Sequence, residues 1–171
     1  DAVSSKYDPR YLKVGQTIHV EYKTNRSGDA EVSRLSMPLD KIRTLAVSKA
    51  TPDRFDSYIE ELTLEPQLRA KNITIKNSLY GSALEQGLPM KIVDKVLRIY
   101  AWDVDFQRDL RKGDRLEVLY EALTGRDGQV VDYGDLKYAS LNIKGTSIPV
   151  YEFTTDDGRK DYFEPNGHSI R

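Results

Sequence analysis

The chain has 171 residues, of which 39% are hydrophobic and 31% are charged, and its formal net charge is −1. This length suits one ordinary domain or two small ones, and the composition is that of a folded protein rather than a disordered one. The balanced charge argues against nucleic-acid binding, because the basic residues of segment 108–115 are interleaved with aspartates.

Composition also excludes several kinds of site. The absence of cysteine removes disulfides, thiolate zinc sites and cysteine nucleophiles. Apolar runs of only a few residues predict no membrane span in this segment. Residues 1–5 lack the basic and apolar regions of a signal peptide, so we expect a cytosolic protein or a mature or trimmed form.

The first half of the chain is predicted to be β-rich. Ile18, Val20 and Tyr22 alternate with polar residues, which is typical of a strand with one buried face. The predicted strands are residues 17–23, 30–37, around 45–47 and 55–64, the last with some helical ambiguity and the first two joined as a hairpin by the turn 25–29. Composition changes near Glu65 and Pro66, so we place a first domain at 1–67.

The second half, 68–171, is predicted to hold two short helices packed on an antiparallel meander sheet. Asn77 or Ser78 can cap a helix that Gly87 ends, and Pro89 begins a second helix. The second helix has an apolar stripe of Ile92, Val93, Val96, Leu97 and Tyr100. The predicted strands are 71–75, 115–123, 136–143, 148–155 and 160–164, with 124–135 as a long turn. This order indicates an α+β fold.

No catalytic, cofactor-binding or metal-binding residue is expected in this chain. His19 and His168 lie in different halves, and neither has a second ligand at a usual offset. Ser78 and Ser82 lie in the first helix and are interpreted as a cap and a surface residue. Asp103 and Asp105 beside Trp102 could form a sugar-cleaving pair, but their spacing suits a helix cap and a solvated face better.

The chain has 11 tyrosines, and many of them lie on the predicted strands of the second half. Those residues are Tyr120, Tyr133, Tyr138, Tyr151 and Tyr162. Tyrosine can stack against sugars, peptides or single-stranded nucleic acid. It also suits half-buried strands without any ligand, and we favour this second interpretation.

Residues 102–121 read W-D-V-D-F-Q-R-D-L-R-K-G-D-R-L-E-V-L-Y-E. This string resembles the stretch ahead of the catalytic domain in Gram-negative LytM-type (lysostaphin-like) zinc peptidases, with Leu116 in place of a usual aromatic. Other similar segments follow in the family's order, namely 78–80 with 87–89, 151–153 with 157–158, and 162–171, where Asn166 replaces an aspartate. The resemblance covers about residues 69–171. Segment 12–20 is similar to the closing strand of LysM-like modules, whose opening half is absent, so a truncated LysM-like or inhibitory-type domain is one interpretation of 1–67.

The resemblance implies a role without catalysis in this chain. Family members are periplasmic or envelope-anchored endopeptidases that cut peptidoglycan cross-links with zinc held by H-x-x-x-D and H-x-H motifs, and neither motif is present here. We therefore expect no cofactor in this chain and a zinc-binding catalytic domain directly beyond Arg171. In the family, preceding domains pack against the catalytic domain and can cover its groove, so that domain is the expected partner.

Two other hypotheses stay open from the sequence. One is a stand-alone module that binds peptidoglycan or a partner protein, indicated by the LysM-like strand and the tyrosines. The other is an independent enzyme built on Asp103 and Asp105, which would be removed if replacing both by asparagine changed neither the fold nor any hydrolytic activity.

Overall fold

The computed structural model describes residues 6–24 and 27–170. Contacts within the chain separate two units, Asp1–Leu64 and Glu65–Arg171. Both units are built on antiparallel sheets and the second also contains two α-helices, which agrees with the predicted α+β class. The predicted division at 67/68 would cut the strand that begins at Glu65. No helix in the described part of the chain is long and apolar enough to cross a membrane.

The first unit is a four-stranded antiparallel meander. Its strands are β1 (His19–Thr24), β2 (Ala30–Pro38), β3 (Arg43–Thr51) and β4 (Arg54–Glu61), in the spatial order of the sequence. The predicted hairpin of β1 and β2 is confirmed, and the helical ambiguity is resolved because β4 is a strand. Residues 25 and 26 of the predicted turn lie outside the described residues. Segment 12–20 contributes only its last two residues to β1, and its LysM-like character stays a prediction.

The centre of this sheet is held by small and medium apolar side chains. Leu45 stands opposite Met37 on one neighbour and Ile59 on the other, and both Leu45 and Met37 are buried. Arg34 extends from β2 to Glu60, with 2.6 Å between Nη2 and Oε2. Burial of the central residues is what stabilises this sheet, because the described residues of the first unit form no α-helix, only a 3-10 turn at Pro9–Tyr11.

The second unit places two helices on a five-stranded antiparallel meander. Its elements are β5 (Glu65–Thr74), α1 (Leu79–Glu85), α2 (Met90–Tyr100), β6 (Arg115–Thr124), β7 (Val130–Ile143), β8 (Thr146–Thr154) and β9 (Lys160–Phe163). The strand order is β5-β6-β7-β8-β9. The predicted arrangement of a helical pair covering a meander sheet is confirmed.

The ends of both helices follow from local sequence. The Ser78 hydroxyl accepts the Gly81 backbone N–H at 3.1 Å and caps α1, as predicted. Gly87 adopts a φ of 74° after the last turn, a left-handed conformation that glycine adopts without steric cost. Pro89 precedes the first residue of α2, where its missing N–H would have no helical partner.

The apolar stripe of α2 forms the centre of the core. Ile92, Val93, Val96 and Tyr100 are all fully buried, while Leu97 is half-buried beside them. The stripe packs against sheet residues that include Leu116 and Leu141. The Tyr100 hydroxyl donates to the Ile148 carbonyl at 2.7 Å, and burial raises the pKa of this phenol far above its usual range. Helix α2 is thus fixed to the sheet by both burial and one directed bond.

Two strands are longer than the sequence predicts. β5 begins at Glu65 and not at residue 71, because pairing with β6 extends an edge strand whose outer half is exposed. Pro66 is tolerated there since an edge strand has N–H groups that need no ladder partner. The predicted long turn 124–135 is wrong: β7 begins at Val130, and only a tight turn closed by the bond from Gly125 N–H to Gln129 O, 2.9 Å, separates it from β6.

Replacing Ile92 by alanine tests the role of this core. Because Ile92 is fully buried, we expect Ile92→Ala to lower the free energy of unfolding of the second unit by about 2–5 kcal/mol. Met90→Ala on the same helix removes a side chain that is 55% exposed, so it should change stability by less than about 0.5 kcal/mol. Urea unfolding followed by the helical circular dichroism signal measures both, and equal effects of the two variants would contradict the packing.

Candidate functional site

The two histidines do not form a site together. His19 lies exposed on β1 of the first unit, and His168 lies exposed in the turn after β9. The backbone N–H of His168 donates to Asn166 Oδ1 at 2.9 Å, which is an ordinary turn contact. Within residues 6–24 and 27–170, no group of three or more histidine, aspartate or glutamate side chains could hold a metal ion. The described residues therefore do not supply a ligand set for zinc.

The two candidate serines have structural roles. Ser78 caps α1, as described above. Ser82 is 2% exposed, so the prediction of a surface residue is wrong. Its hydroxyl accepts the Lys76 backbone N–H at 2.9 Å and ties the helix to the segment after β5. A buried hydroxyl with a backbone partner is a fold-stabilising contact.

Asp105 acts as a turn cap. Its Oδ1 accepts the backbone N–H groups of Gln107 at 3.0 Å and Arg108 at 3.2 Å. Its own backbone N–H donates to Asp109 Oδ2 at 2.9 Å. Asp103 is exposed one turn after α2, next to Trp102, which is 82% exposed. The Asp105 carboxylate thus accepts backbone donors at a turn, as in the predicted cap, and the exposed Asp103 fits the predicted solvated face.

The basic segment after α2 is anchored by an aspartate. Asp114 is 8% exposed, and its carboxylate accepts the backbone N–H groups of Arg111 at 2.7 Å and Lys144 at 3.0 Å. This carboxylate joins the loop before β6 to the turn between β7 and β8. Arg108 has an ion-pair contact of 3.6 Å with Asp105. The interleaved acids therefore make local contacts within the basic segment.

The five strand tyrosines divide between the two faces of the sheet. Tyr120 is buried under the helices, and Tyr133 and Tyr162 pack against the same core. The Tyr162 hydroxyl donates to the Leu136 carbonyl at 2.9 Å, and burial raises the pKa of Tyr162. Tyr138 and Tyr151 lie on the opposite face, with ring centroids 5.1 Å apart. The preference for ligand-free tyrosines holds for the first group and leaves the second group open.

The face away from the helices carries one uncharged row across all five strands. Val118 and Tyr120 point toward the helices, so Leu119 between them points outward. The strand pairing aligns Leu119 with its outward neighbours in one continuous row, which we call the outer row: Ala70, Leu119, Tyr138, Tyr151 and Phe163. Sequence reasoning missed this row because membership depends on the register of four strand pairs.

The β7-to-β9 part of the outer row is aromatic, and its last residue, Phe163, lines a pocket. Tyr151 is 46% exposed, and Phe153, two residues along the same strand and face, is 58% exposed. Phe153 meets Phe163 edge to face, with ring centroids 6.1 Å apart. Beside them lies a pocket of about 270 Å³ lined by Thr155, Arg159, Asp161, Phe163 and Ser169. The pocket combines one aromatic wall with hydroxyl, guanidinium and carboxylate groups.

A second cluster joins five elements at one end of the sheet. The β7 charge cluster consists of Lys95, Glu121, Asp135, Lys137, Glu152 and Lys160. Asp135 receives Lys95 of α2 at 3.0 Å and Lys160 of β9 at 2.7 Å. Lys137 reaches Glu121 at 3.0 Å and Glu152 at 2.6 Å. Three acids and three bases are thus paired within one connected set.

The β7 charge cluster shifts the ionisation of its members. Hydrogen bonds from Lys160 and Lys95 hold the pKa of Asp135 well below its usual range. Hydrogen bonds to Glu152 and Glu121 raise the pKa of Lys137. Glu121 also accepts the Asp135 backbone N–H at 3.0 Å, which lowers the pKa of Glu121. All of these shifts favour the charged forms, which suits a structural clamp and not a proton-transferring group.

No family model matches the chain. Over 151 residues it is 22% identical to the peptidoglycan DD-endopeptidase ShyC of Vibrio cholerae. The aligned region makes up 88% of this chain and 34% of ShyC. The chain is similar to part of a peptidoglycan endopeptidase. A zinc-containing peptidase from Vibrio cholerae shares the fold with a TM-score of 0.61 and 19% identity, over 94% of this chain and 46% of that one. Csd3 of Helicobacter pylori gives a TM-score of 0.61 with 15% identity, over 88% and 40%.

These relatives support the resemblance to peptidoglycan peptidases that the motifs indicate. The structural likenesses, at such low identity, show a common fold and no more. The chain spans about a third of the length of ShyC and less than half of each structural relative named above. What those proteins do as wholes therefore reaches this chain only as a proposal.

The Asp135 pKa predicts how stability depends on pH. A folded-state pKa below the unfolded value contributes stability that is present above about pH 5 and is lost as pH falls through the folded pKa. We expect Asp135→Asn to lower the free energy of unfolding of the second unit by about 1–2 kcal/mol at neutral pH. The difference in free energy of unfolding between the variant and the parent protein should become smaller as the pH falls below about 4.

Urea unfolding at neutral and acid pH measures this difference. Asp156→Asn, in the exposed turn between β8 and β9, is the matched control and should change stability by less than about 0.5 kcal/mol. If the stability difference between Asp135→Asn and the parent protein stays constant or grows on acidification, Lys95 and Lys160 do not stabilise the charged form of Asp135.

Proposed function

We propose that the chain is a non-catalytic part of a peptidoglycan peptidase, in which it positions the catalytic part and restrains it. The observation that carries the proposal is the match to ShyC along 88% of the chain together with only 34% of ShyC. A region of that extent in an enzyme of that kind leaves room for a separate catalytic part. The ordered motifs of 69–171 support the same family.

The geometry supports a scaffold. Helix α2 is held by its buried stripe, by the bond from Tyr100 to Ile148 and by the ion pair from Lys95 to Asp135. The perturbed groups of the β7 charge cluster are all paired, and the described residues gather no zinc ligand set. A rigid unit of this kind can hold an attached domain in a fixed orientation.

The proposal places zinc and the chemistry of cleavage in the attached catalytic part. Cleavage of peptidoglycan cross-links outside the cytoplasm would then be the activity of the whole protein, with periplasmic or envelope localisation. This chain would contribute contacts and no reacting group.

A comparison of proteins with and without this region tests the proposal. The gene should encode H-x-x-x-D and H-x-H motifs together with residues 1–171, and the purified product should release soluble fragments from peptidoglycan sacculi. We expect removal of 1–171 to raise the rate at least several-fold, since a restraint of about 1 kcal/mol corresponds to about fivefold. Fragment release is measured by chromatography of the digest.

The 171-residue chain alone serves as the first control and should release no fragments. A full protein carrying Lys112→Ala, an exposed residue of the basic segment, is the matched variant and should keep the parent rate. An unchanged rate after removal of 1–171, or a gene without the zinc motifs, would refute the restraining role.

A second function is favoured by the outer row. Exposed aromatic side chains on one side of a sheet are typical of a binding surface for a sugar or peptide. The alternative is therefore a stand-alone module that binds peptidoglycan or a protein. Retention of the isolated chain on sacculi, together with a gene that lacks a peptidase part, would favour it over the first proposal.

A further inference from the structure

The outer row is the strongest surface feature that the first proposed function, the restraining scaffold, does not use. It crosses β5 to β9 without a charged residue, and Tyr151 within it is 46% exposed. The opposite face of the same sheet is covered by the helices. Exposing aromatic rings to water costs free energy, so a conspicuous aromatic end indicates a ligand.

The spacing of the rings suits an extended chain of sugar rings. Tyr138, Tyr151 and Phe163 lie on three successive strands. Because neighbouring strands lie about 4.8 Å apart, Tyr138 and Phe163 are separated by about 10 Å. That separation is similar to the length of one disaccharide repeat of a β-1,4-linked glycan. A glycan strand lying across β7, β8 and β9 would meet a ring at each sugar.

The neighbours of the outer row have matching chemistry. The next row on the same face lies two residues further along each strand. It contains Asn72 and Glu117, which pair with each other and are both exposed. A sugar ring has an apolar C–H face and a rim of hydroxyls, so it matches an aromatic row bordered by amide and carboxylate groups. A protein partner with a broad apolar surface would match this narrow row poorly.

The charge of the surface agrees with this ligand. N-acetylated sugars are uncharged, and the outer row contains no carboxylate, amine or guanidinium, since its members are Ala70, Leu119, two tyrosines and Phe163. At the end of the row, Arg159 in the pocket offers a guanidinium that is 69% exposed although it contacts Asp157. The pocket therefore offers the Arg159 guanidinium and the Asp161 carboxylate to polar groups attached to the glycan.

We infer that the aromatic part of the outer row binds the glycan strand of peptidoglycan, with Tyr151 of the row and Phe153, two residues along the same strand and face, as stacking residues. The inference rests on the proposed function only in taking peptidoglycan as the polymer at hand. It adds a ligand class and named contact residues to the scaffold. Binding at this face holds the whole protein on its polymer without any contact to a reacting bond.

The experiment uses the 171-residue chain and chitotetraose, a β-1,4-linked oligomer of N-acetylglucosamine, as probe. We expect binding with a dissociation constant of about 1 mM or tighter, and retention on purified sacculi that chitotetraose competes away. Tyr151→Thr with Phe153→Thr should weaken both at least about tenfold, because stacking against two rings is lost while threonine keeps strand preference. Titration by calorimetry or by ligand-observed NMR measures the affinity.

Tyr22→Thr is the matched control, because Tyr22 is a strand tyrosine that is 63% exposed in the other sheet. It should bind chitotetraose as the parent chain does, and all variants should keep the parent unfolding temperature. The inference is overturned if the chain does not bind chitotetraose or binds a free stem peptide instead. It is also overturned if the double variant binds as well as the parent chain, or if Tyr22→Thr loses binding.

The two proposals fail separately. The peptidase comparison measures rates with and without residues 1–171 and does not depend on the outer row. The glycan titration measures binding to the chain itself and gives the same answer whether or not a catalytic part is attached.

Discussion

Helices α1 and α2 cover one face of the five-stranded sheet, and the described residues contain no third α-helix. The buried stripe of α2 and the bond from Tyr100 to Ile148 decide which face that is. Because side chains alternate along a strand, the residues of β6 and β8 are assigned to the covered or the open face at once, whereas irregular pairing opposite Leu119 to Ala122 interrupts the alternation of β7. The core, the outer row and the placement of the tyrosines all follow from this one-sided cover.

The β7 charge cluster favours one orientation of helix α2 on the sheet. Lys95 of α2 and Lys160 of β9 meet on one carboxylate, so Asp135 connects the helix to the far edge strand. Glu121 packs so closely that a Cβ on Gly134 would stand 2.5 Å from its Oε2, so a side chain at that position would force Glu121 to shift within the cluster. Paired charges add little net stability on a surface, but they penalise any packing in which one partner is missing. The cluster therefore selects one orientation of α2 among those that the apolar stripe alone would allow.

The local sequence was sufficient to predict the ends of α1 and the buried face of α2. The cap at Ser78, the stop at Gly87 and the stripe of α2 are all encoded within a few residues, and the structure has them where the sequence predicts. The outer half of β5 and the start of β7 were missed because pairing with β6, a tertiary contact, makes them strands. Ser82 was misjudged since its hydroxyl is buried against a segment outside its helix. The outer row and the β7 charge cluster need the strand register, which no local pattern contains.

The edges of the five-stranded sheet have a consequence for behaviour at high concentration. On β5, Pro66 lacks an N–H, and β9 is only four residues long. After β9 the chain turns back, and the Ile170 N–H donates to the Tyr162 carbonyl at 3.0 Å, which occupies part of that edge. Open edges are where sheets from different molecules join into fibrils, and these features obstruct both of them. The protein can thus keep an aromatic surface in contact with water without the self-association that an unguarded sheet would invite.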